Sequence, residues 1–388
     1  MQIRYADSKD KNQIIDIWNY CFGDSEGFVK YYFSKKYDEK NTVVLQENEK
    51  ITSALQLNQY KLKLNDNVYN TSYVVGVSTL PEARGRGYMK DIMEFSLKSL
   101  YEKGQLVSLL MPIDYRLYRK YGYENCYDIL EYKINIDELS RYKLNGSLEE
   151  LKYDKIETLV EIYKNSMKKL NATIIRDKNY YDTLFEEVKS EGGHIYLYKE
   201  EDYKGYIIYF VNGENLFVRD MLYDSKNALE SMLKFIYNHN TQCKETTIMT
   251  PINDNLKHIL HNPKTCSISI KPFMMGRIIN VVEFLKSIKI ETDIEISSKI
   301  NIIDNQISQN NGVFKISIKD SKINVEKILG EYDYSIDINK LSQLGFSYLS
   351  FEEILELQEN YISKIDKSVV DLFEVIFNVK NNYIQEYV

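Results

Sequence analysis

The stretch that decides the fold runs VVGVSTLPEARGRGYMKDIMEFSL, from Val74 to Leu97. Residues 74–77 are β-branched apart from one glycine, which predicts a strand. Residues 80–87 are dense in Arg and Gly and predict a turn. Residues 88–97 place apolar side chains three and four positions apart, which predicts an amphipathic helix. The order is therefore strand, basic glycine-rich turn and helix start.

This arrangement predicts an anion site at the helix start. The first amides of a helix have no partner within the helix, and the helix dipole favours negative charge in front of them. Gly85 and Gly87 allow a ligand to approach the backbone without meeting a Cβ atom. Arg84 and Arg86 add donors whose geometry suits phosphate oxygens.

Two other phosphate-binding motifs are excluded by their missing residues. No Gly-Lys-Ser/Thr follows the turn, so it is not a Walker A loop. No G-x-G-x-x-G is present, and no acidic residue suited to a ribose follows on a next strand, so it is not a dinucleotide fingerprint. A solvated basic turn at a helix start is the remaining alternative, and the order and lengths of the flanking elements count against it.

The segment from Arg84 to Met89 resembles the Arg-x-x-Gly-x-Gly/Ala loop of the GNAT (Gcn5-related N-acetyltransferase) family. It matches at the arginine and the central glycine, and it departs at Met89, where the family pattern has a small residue. The Eis-type (enhanced intracellular survival) branch shares that departure, because its loop runs basic-basic-Gly-bulky-bulky. The resemblance implies acetyl-CoA as co-substrate, with its pyrophosphate held by this loop.

The resemblance also implies a set of CoA-binding residues. Backbone amides of the strand end would face the carbonyl and the pantetheine arm, the loop would hold the pyrophosphate, and two residues of the following short helix would contact the pantetheine tail. These residues are Val77, Ser78, Thr79, Arg84, Gly85, Arg86, Gly87, Tyr88, Met89, Tyr118 and Arg119.

Two catalytic roles follow from the same resemblance. Residues 118–123 read YRKYGY and fit the aromatic-Gly-aromatic motif after the fifth strand of the family, which makes Tyr123 the predicted general acid. A phenol with its ordinary pKa near 10 is protonated at neutral pH and can donate to a thiolate. A packed aromatic is the alternative, since the chain has 34 tyrosines.

The base is predicted at the end of the chain. In Eis-type enzymes the terminal carboxylate returns to the first domain, and the apolar, aromatic end of this chain suits burial, so Val388 takes that role by resemblance. Its carboxylate would either accept a proton or hold the ammonium group, and the sequence leaves both open. His258 and His261 stand three positions apart without an evident third ligand, so no metal site is predicted.

The order of elements predicts an α+β fold in three domains. Residues 1–145 are expected to form a catalytic GNAT domain and residues 146–275 a degenerate second GNAT domain. The second copy carries Tyr223-Asp224-Ser225-Lys226 where the first has its glycine-rich loop, and an acid there would repel an anion. Residues 276–388 resemble the sterol carrier protein-like domain that closes Eis-type chains.

Composition excludes several classes of protein. The net charge of −7 argues against a general nucleic-acid binder. The four cysteines are far apart and predict packed thiols, with neither a disulfide framework nor a zinc site. No signal peptide and no transmembrane-length apolar run is present, so a cytoplasmic protein without a membrane partner is expected.

These observations predict an acetyl-CoA-dependent N-acetyltransferase. The acetyl group would pass to a primary amine, on an aminoglycoside-like polyamine or a lysine, by direct attack in a ternary complex. Resemblance further implies a homohexamer. The rival hypothesis is a non-catalytic module that binds CoA or lipid.

Overall fold

The computed structural model describes residues 1–358 and 365–387. Within those residues the strands form one 13-stranded sheet and a separate four-stranded sheet. The large sheet runs through two successive copies of one α+β unit, and the small sheet belongs to the third region. The predicted α+β class with tandem GNAT-like units is confirmed.

The first copy begins with two helices and an antiparallel meander, as its sequence predicts. Its elements are β1 (Gln2–Tyr5), α1 (Lys11–Phe22), α2 (Glu26–Lys35), β2 (Thr42–Glu47), β3 (Lys50–Leu64), β4 (Asn67–Thr79), α3 (Tyr88–Glu102), β5 (Val107–Leu110), α4 (Tyr115–Arg119) and β6 (Glu124–Asn135).

The second copy repeats that series. Its elements are β7 (Ser147–Glu150), α5 (Ile156–Ser166), β8 (Thr173–Ile174), α6 (Lys178–Ser190), β9 (His194–Lys199), β10 (Tyr203–Asn212), β11 (Asn215–Tyr223), α7 (Lys226–Tyr237), β12 (Glu245–Pro251), α8 (Leu256–Ile259) and β13 (Ser267–Ile278).

The third region packs helices on its four-stranded sheet. Its elements are α9 (Val281–Ser287), β14 (Ile296–Ile303), β15 (Gly312–Lys319), β16 (Lys322–Ile328), β17 (Tyr334–Asp337), α10 (Ile338–Gly345), α11 (Phe351–Glu356) and α12 (Lys367–Ile376). Residues 290–296 alternate in polarity and predict a strand, but β14 begins only at Ile296. No neighbouring strand pairs with 290–295 in the described chain, so alternation alone does not make them a strand.

β6 and β13 join the two copies into one sheet. The last residues of β13 lie between β5 and the start of β6, and so complete the sheet of the first copy. The last residues of β6 lie between β12 and the start of β13, and so complete the sheet of the second copy. The predicted boundary between residues 275 and 276 therefore falls within β13, a strand that the first copy needs.

The α3 helix shows how local sequence positions the site. Its apolar residues Ile92, Met93, Leu97 and Leu100 are buried against the sheet, in the periodicity that the sequence predicts. Burial of this face fixes the helix axis, and with it the position of the first turn. The helix N-terminus consequently lies beyond the end of β4, where the basic loop joins the two elements.

Candidate active site

The loop between β4 and α3 leaves its backbone open. Gly85 and Gly87 have φ angles of 77° and 86°, in the left-handed region that glycine adopts without strain. A Cβ atom added at either glycine would meet nothing within 4 Å. No side chain caps α3 at Gly87 in the described residues. The amides of the first helical turn therefore face open space.

The two predicted arginines lie at this loop and contact protein atoms. Arg86 forms a bidentate pair with the carboxylate of Glu47, at 2.9 and 2.6 Å, and the Tyr88 hydroxyl donates to the same carboxylate at 3.1 Å. The hydrogen bond from Arg86 holds the pKa of Glu47 below its ordinary value. Arg84 donates Nε to the carbonyl of Thr79 at 3.0 Å. A phosphate at the loop would compete with Glu47 for Arg86.

Sequence reasoning missed Glu47. This residue ends β2 and is 39 positions from Arg86, so no local spacing links them. Pairing of β2 with β3, and of β3 with β4, brings the end of β2 to the loop. The sequence predicts a strand that ends at Leu45 and a turn that begins at Glu47, so a carboxylate in that turn was the only signal available.

The strand before the loop separates from its neighbour. β4 pairs with β5 only from Thr71 to Val74, whereas β4 itself continues to Thr79. Ser78 and Thr79 keep their pairing with β3, whereas Val77 lies at the register shift between Ala54 and Gln56. The edge of this segment that faced β5 has no strand partner within the described chain. This gap beside the strand end is where the sequence predicts contacts to a carbonyl and a pantetheine arm.

Gly76 bends the strand at this gap. Its φ is +59°, and the register of β4 against β3 shifts between Ala54 and Gln56 opposite it. A Cβ atom at Gly76 would lie 2.1 Å from Gln56 Oε1 and 2.4 Å from the Trp18 ring. Glycine is therefore required here by both conformation and close packing.

The predicted acid Tyr123 is fully buried. Its hydroxyl is 2.8 Å from the Ser108 hydroxyl, which donates to the carbonyl of Ser72 at 2.8 Å. Burial raises the pKa of Tyr123 to about 12. The phenol is thus protonated at neutral pH, and its described partner is a buried serine of β5.

Tyr118 differs from Tyr123 in the surroundings of its hydroxyl. The ring is buried in the same apolar cluster, and burial raises the pKa of Tyr118 to about 12. Its hydroxyl makes no hydrogen bond within the described residues, and Tyr118 as a whole is 5% exposed. The adjacent Arg119 pairs with Glu124 at 2.9 Å.

The end of the chain passes between the two copies. Tyr383 to Glu386 are buried. The carboxylate of Glu386 accepts hydrogen bonds from Arg176 at 3.0 and 3.1 Å and from the Tyr180 hydroxyl at 2.5 Å. The hydroxyl of Tyr73 donates to the carbonyl of Glu386 at 3.5 Å. Tyr73 directly precedes Val74, the last residue of β4 that pairs with β5. Val388 lies outside the described residues.

The comparisons with known proteins agree with this geometry. Models of the acetyltransferase (GNAT) domain match residues 2–126 and 172–278, and a model of the sterol carrier protein domain matches residues 281–384. The chain is a GNAT acyltransferase with the three-domain layout of Eis-type proteins. No curated protein sequence matches it.

Solved structures share the fold of this acyltransferase over their full length. A probable N-acyltransferase from Enterococcus faecalis is 21% identical with a TM-score of 0.84, covering 98% of this chain and 99% of its own. A GCN5-related N-acetyltransferase from Anabaena variabilis is 23% identical with a TM-score of 0.83, covering 100% of both chains. An Eis protein from Mycobacterium abscessus is 15% identical with a TM-score of 0.77, also covering 100% of both chains.

A cavity of about 310 Å³ in the acyltransferase lies against the chain end at Tyr387. Its acidic residues are Asp24, Glu187 and Glu191, and its wall also contains Arg219. Burial is the largest influence on Glu187 and raises its pKa. The charges of Arg219, which lies 2.6 Å away, and of Lys36, with hydrogen bonds from Arg219 and Tyr31, together outweigh burial, so the pKa of Glu187 is lowered. Burial, followed by the charge of Glu187, raises the pKa of Glu191. Because Arg219 is paired with Glu187, the carboxyl groups of Asp24 and Glu191 are the acidic groups of this cavity that favour a cation.

Aromatic side chains complete the wall of that cavity. Phe28 comes from α2, whereas Phe210 and Phe217 come from β10 and β11 of the second copy. Aromatic faces favour both apolar groups and cations. The second copy, which has no open loop of its own, thus contributes most of this cavity.

A larger groove of about 870 Å³ lies elsewhere. It includes Lys103 and Gln105, which follow the C-terminal end of α3. The 15 residues of α3 separate that end from Gly87 by roughly 22 Å. The larger volume of this groove is therefore no reason to place it at the proposed anion site at the start of α3.

Within residues 1–358 and 365–387, no group of three or more His, Cys, Asp or Glu side chains is arranged to hold a metal ion. In the same residues no helix combines the length and apolarity that crossing a bilayer would need.

Proposed function

We propose that this acyltransferase moves an acetyl group from acetyl-CoA to a cationic primary amine, by direct attack in a ternary complex. The observation that carries the proposal is the uncapped start of α3 between two unobstructed glycines, directly beyond the separated end of β4. Open amides at a helix start bind phosphate, and the separated strand leaves unpaired backbone for the pantetheine arm.

In the first step acetyl-CoA binds to the loop and the strand end. Amides of Gly85 to Met89 and the guanidinium groups of Arg84 and Arg86 hold the pyrophosphate. Val77 to Thr79 hold the pantetheine arm and polarise the thioester carbonyl. The tail of that arm then contacts Tyr118 and Arg119. This placement brings the thioester to the gap between β4 and β5.

In the second step the amine attacks the carbonyl carbon and the thiolate leaves. The acidic cavity beside Tyr387 supports a cationic acceptor, whose reacting nitrogen must lose a proton before attack. The terminal carboxylate of Val388 is proposed to accept that proton or to hold the ammonium group. The acceptor class is an aminoglycoside-like polyamine or a lysine side chain.

A tyrosine then donates a proton to the thiolate. Tyr123 is the sequence-based proposal, and its hydroxyl contacts Ser108. Tyr118 is a second candidate, because it lies in the same cluster and its hydroxyl makes no hydrogen bond within the described residues. Burial raises the pKa of both phenols to about 12, so either remains protonated at physiological pH.

Thiol release from acetyl-CoA, measured against a panel of polyamines and lysine peptides, tests the function. The variants Tyr118→Phe and Tyr123→Phe distinguish the two phenols. Loss of the phenol that protonates the thiolate should lower kcat by about 10²-fold, whereas loss of the other should not. Because both phenols keep their proton below about pH 11, kcat of the wild type should not fall between pH 7 and 10. Removal of Val388, followed by the same thiol-release assay, tests whether its terminal carboxylate acts in the reaction.

Calorimetry separates this proposal from the rival class. CoA binding without thiol release against any amine would favour a non-catalytic CoA- or lipid-binding module. A cytoplasmic location and a homohexamer belong to the same proposal, and fractionation and light scattering test them.

A further inference from the structure

Residues 119–123, named here the catalytic turn, are held by a residue of the third region. Asn339, in the first turn of α10, donates its Nδ2 to the carbonyl of Arg119 at 2.9 Å and to the carbonyl of Tyr123 at 2.9 Å. One amide group thus joins the first and last residues of the catalytic turn. The distance between those two carbonyls is set from outside the first copy.

Two more carbonyls of the catalytic turn accept from other donors. Gln306 of the third region donates Nε2 to the carbonyl of Lys120 at 3.1 Å. Arg277 of β13 donates Nη1 to the carbonyl of Tyr121. Four of the turn's five carbonyls therefore accept hydrogen bonds from β13 or the third region.

The guanidinium of Arg277 is fixed in turn by the third region. Its Nη2 donates to both carboxylate oxygens of Asp304, at 2.9 and 2.8 Å, and both side chains are fully buried. A Cβ atom at Gly122 would lie 1.5 Å from Arg277 Nη1. Glycine in the aromatic-Gly-aromatic motif is thus required by this guanidinium as well as by its φ of +82°.

The hydrogen bonds continue into the strand that follows. Gln343 of α10 donates Nε2 to the carbonyl of Asn125 at 3.1 Å, and Asn382 of the chain end donates Nδ2 to the carbonyl of Cys126 at 2.9 Å. Exposed carbonyls would otherwise bind mobile water. Fixed protein donors confine this backbone to one position.

We infer that the third region acts in catalysis as a positioning element for the catalytic turn, through Asn339 and Gln306. This inference rests on the proposed function. The turn connects Tyr118 to Tyr123 and carries Arg119, so a shift of its backbone moves both candidate phenols relative to the thioester. A displacement near 1 Å of a reacting group costs about 10²-fold in rate.

The test uses the full-length variants Asn339→Asp and Gln306→Glu, singly and combined. Each change keeps the shape of the side chain and replaces the NH₂ donor with an oxygen that repels the carbonyl. We expect kcat for thiol release to fall about 10-fold or more in the double variant. The CoA affinity by calorimetry should fall less than kcat does, because the loop at Gly85 to Met89 is untouched and only the contacts of Tyr118 and Arg119 to the pantetheine tail move with the turn.

Asn324→Asp is the matched control. Asn324 is exposed on β16 of the same region and makes no hydrogen bond to the catalytic turn, so its kcat should equal that of the wild type. An unchanged kcat in the double variant would overturn the inference. So would a parallel loss of kcat, CoA affinity and thermal stability, since that pattern indicates general unfolding.

Amide hydrogen exchange over residues 115–126 gives a readout that needs no turnover. The amides of Tyr121 and Gly122 bond to carbonyls within the segment at 2.9 Å, and they should exchange faster in the double variant. If the wild type acetylates no amine, the proposed function fails while this readout still tests the inference. Unchanged exchange would refute the positioning role.

Discussion

The N-termini of α3 and α7 are equivalent positions in the two copies. The first backbone amides of α3 are open, whereas those of α7 are capped by a side chain. At α3 the N-cap is Gly87 and no side chain satisfies the first amides in the described structure. At α7 the N-cap is Ser225, whose hydroxyl accepts from the amide of Ala228 at 3.1 Å. The carboxylate of the preceding Asp224 lies 3.5 Å from Lys204 Nζ.

The difference teaches that the same fold accommodates a sealed and an open helix start. A serine cap satisfies the helix internally and stabilises it, whereas a glycine cap leaves the amides for a ligand. The first copy keeps a less stable helix start, whose open amides form the proposed anion site. The second copy supplies structure, including most of the acidic cavity and the contacts of the chain end.

The largest expected effect comes from closing the open site. Gly87→Asp places a carboxylate among the open amides and strains a left-handed backbone, so CoA affinity should fall at least about 100-fold by calorimetry. Ser225→Asp is the matched control, because Asp is an equally good N-cap, and it should leave CoA affinity unchanged. Equal losses in both variants would contradict the assignment of one site.

Removing the charge of Arg86 should have the next largest effect. Arg86→Ala deletes a bidentate donor and leaves Glu47 unpaired beside the phosphate, so CoA affinity should fall about tenfold. Lys226→Ala, at the start of α7, should have no effect on the same titration. An Arg86→Ala protein that binds CoA like the wild type would show that the guanidinium contributes nothing.

Ser225→Ala examines the sealed helix. Loss of the cap should lower the free energy of unfolding by about 1 kcal/mol in urea titrations, with CoA affinity and kcat unchanged. A change in CoA affinity here would indicate that the two copies are coupled, against the view that only α3 binds the anion.

The smallest effect is a gain of affinity. Glu47→Gln removes the carboxylate that competes for Arg86, so CoA affinity should rise roughly threefold. The gain should vanish when Arg86→Ala is already present, which a double-mutant cycle measures. Asp224→Asn, which removes a carboxylate 3.5 Å from Lys204 in the second copy, serves as the control and should change nothing. A loss of affinity in Glu47→Gln would show that Glu47 supports the loop.

The sequence by itself determined the local elements and the open loop. Two glycines and two arginines between a β-branched run and an amphipathic helix act over a few residues, so their geometry follows from backbone conformation and periodicity. The repeated order of helices and strands likewise indicated two copies of the unit before any tertiary contact was known.

Only the tertiary structure decided which groups contact the loop and the catalytic turn, and which strand completes the first sheet. Glu47 reaches Arg86, Asn339 reaches the catalytic turn, and β13 pairs with β5 to complete the first sheet although the paired residues are 165 or more positions apart. Such contacts depend on strand order and on packing between regions, so the spacing of residues along the chain does not predict them. The burial of both Tyr118 and Tyr123 follows from the same packing.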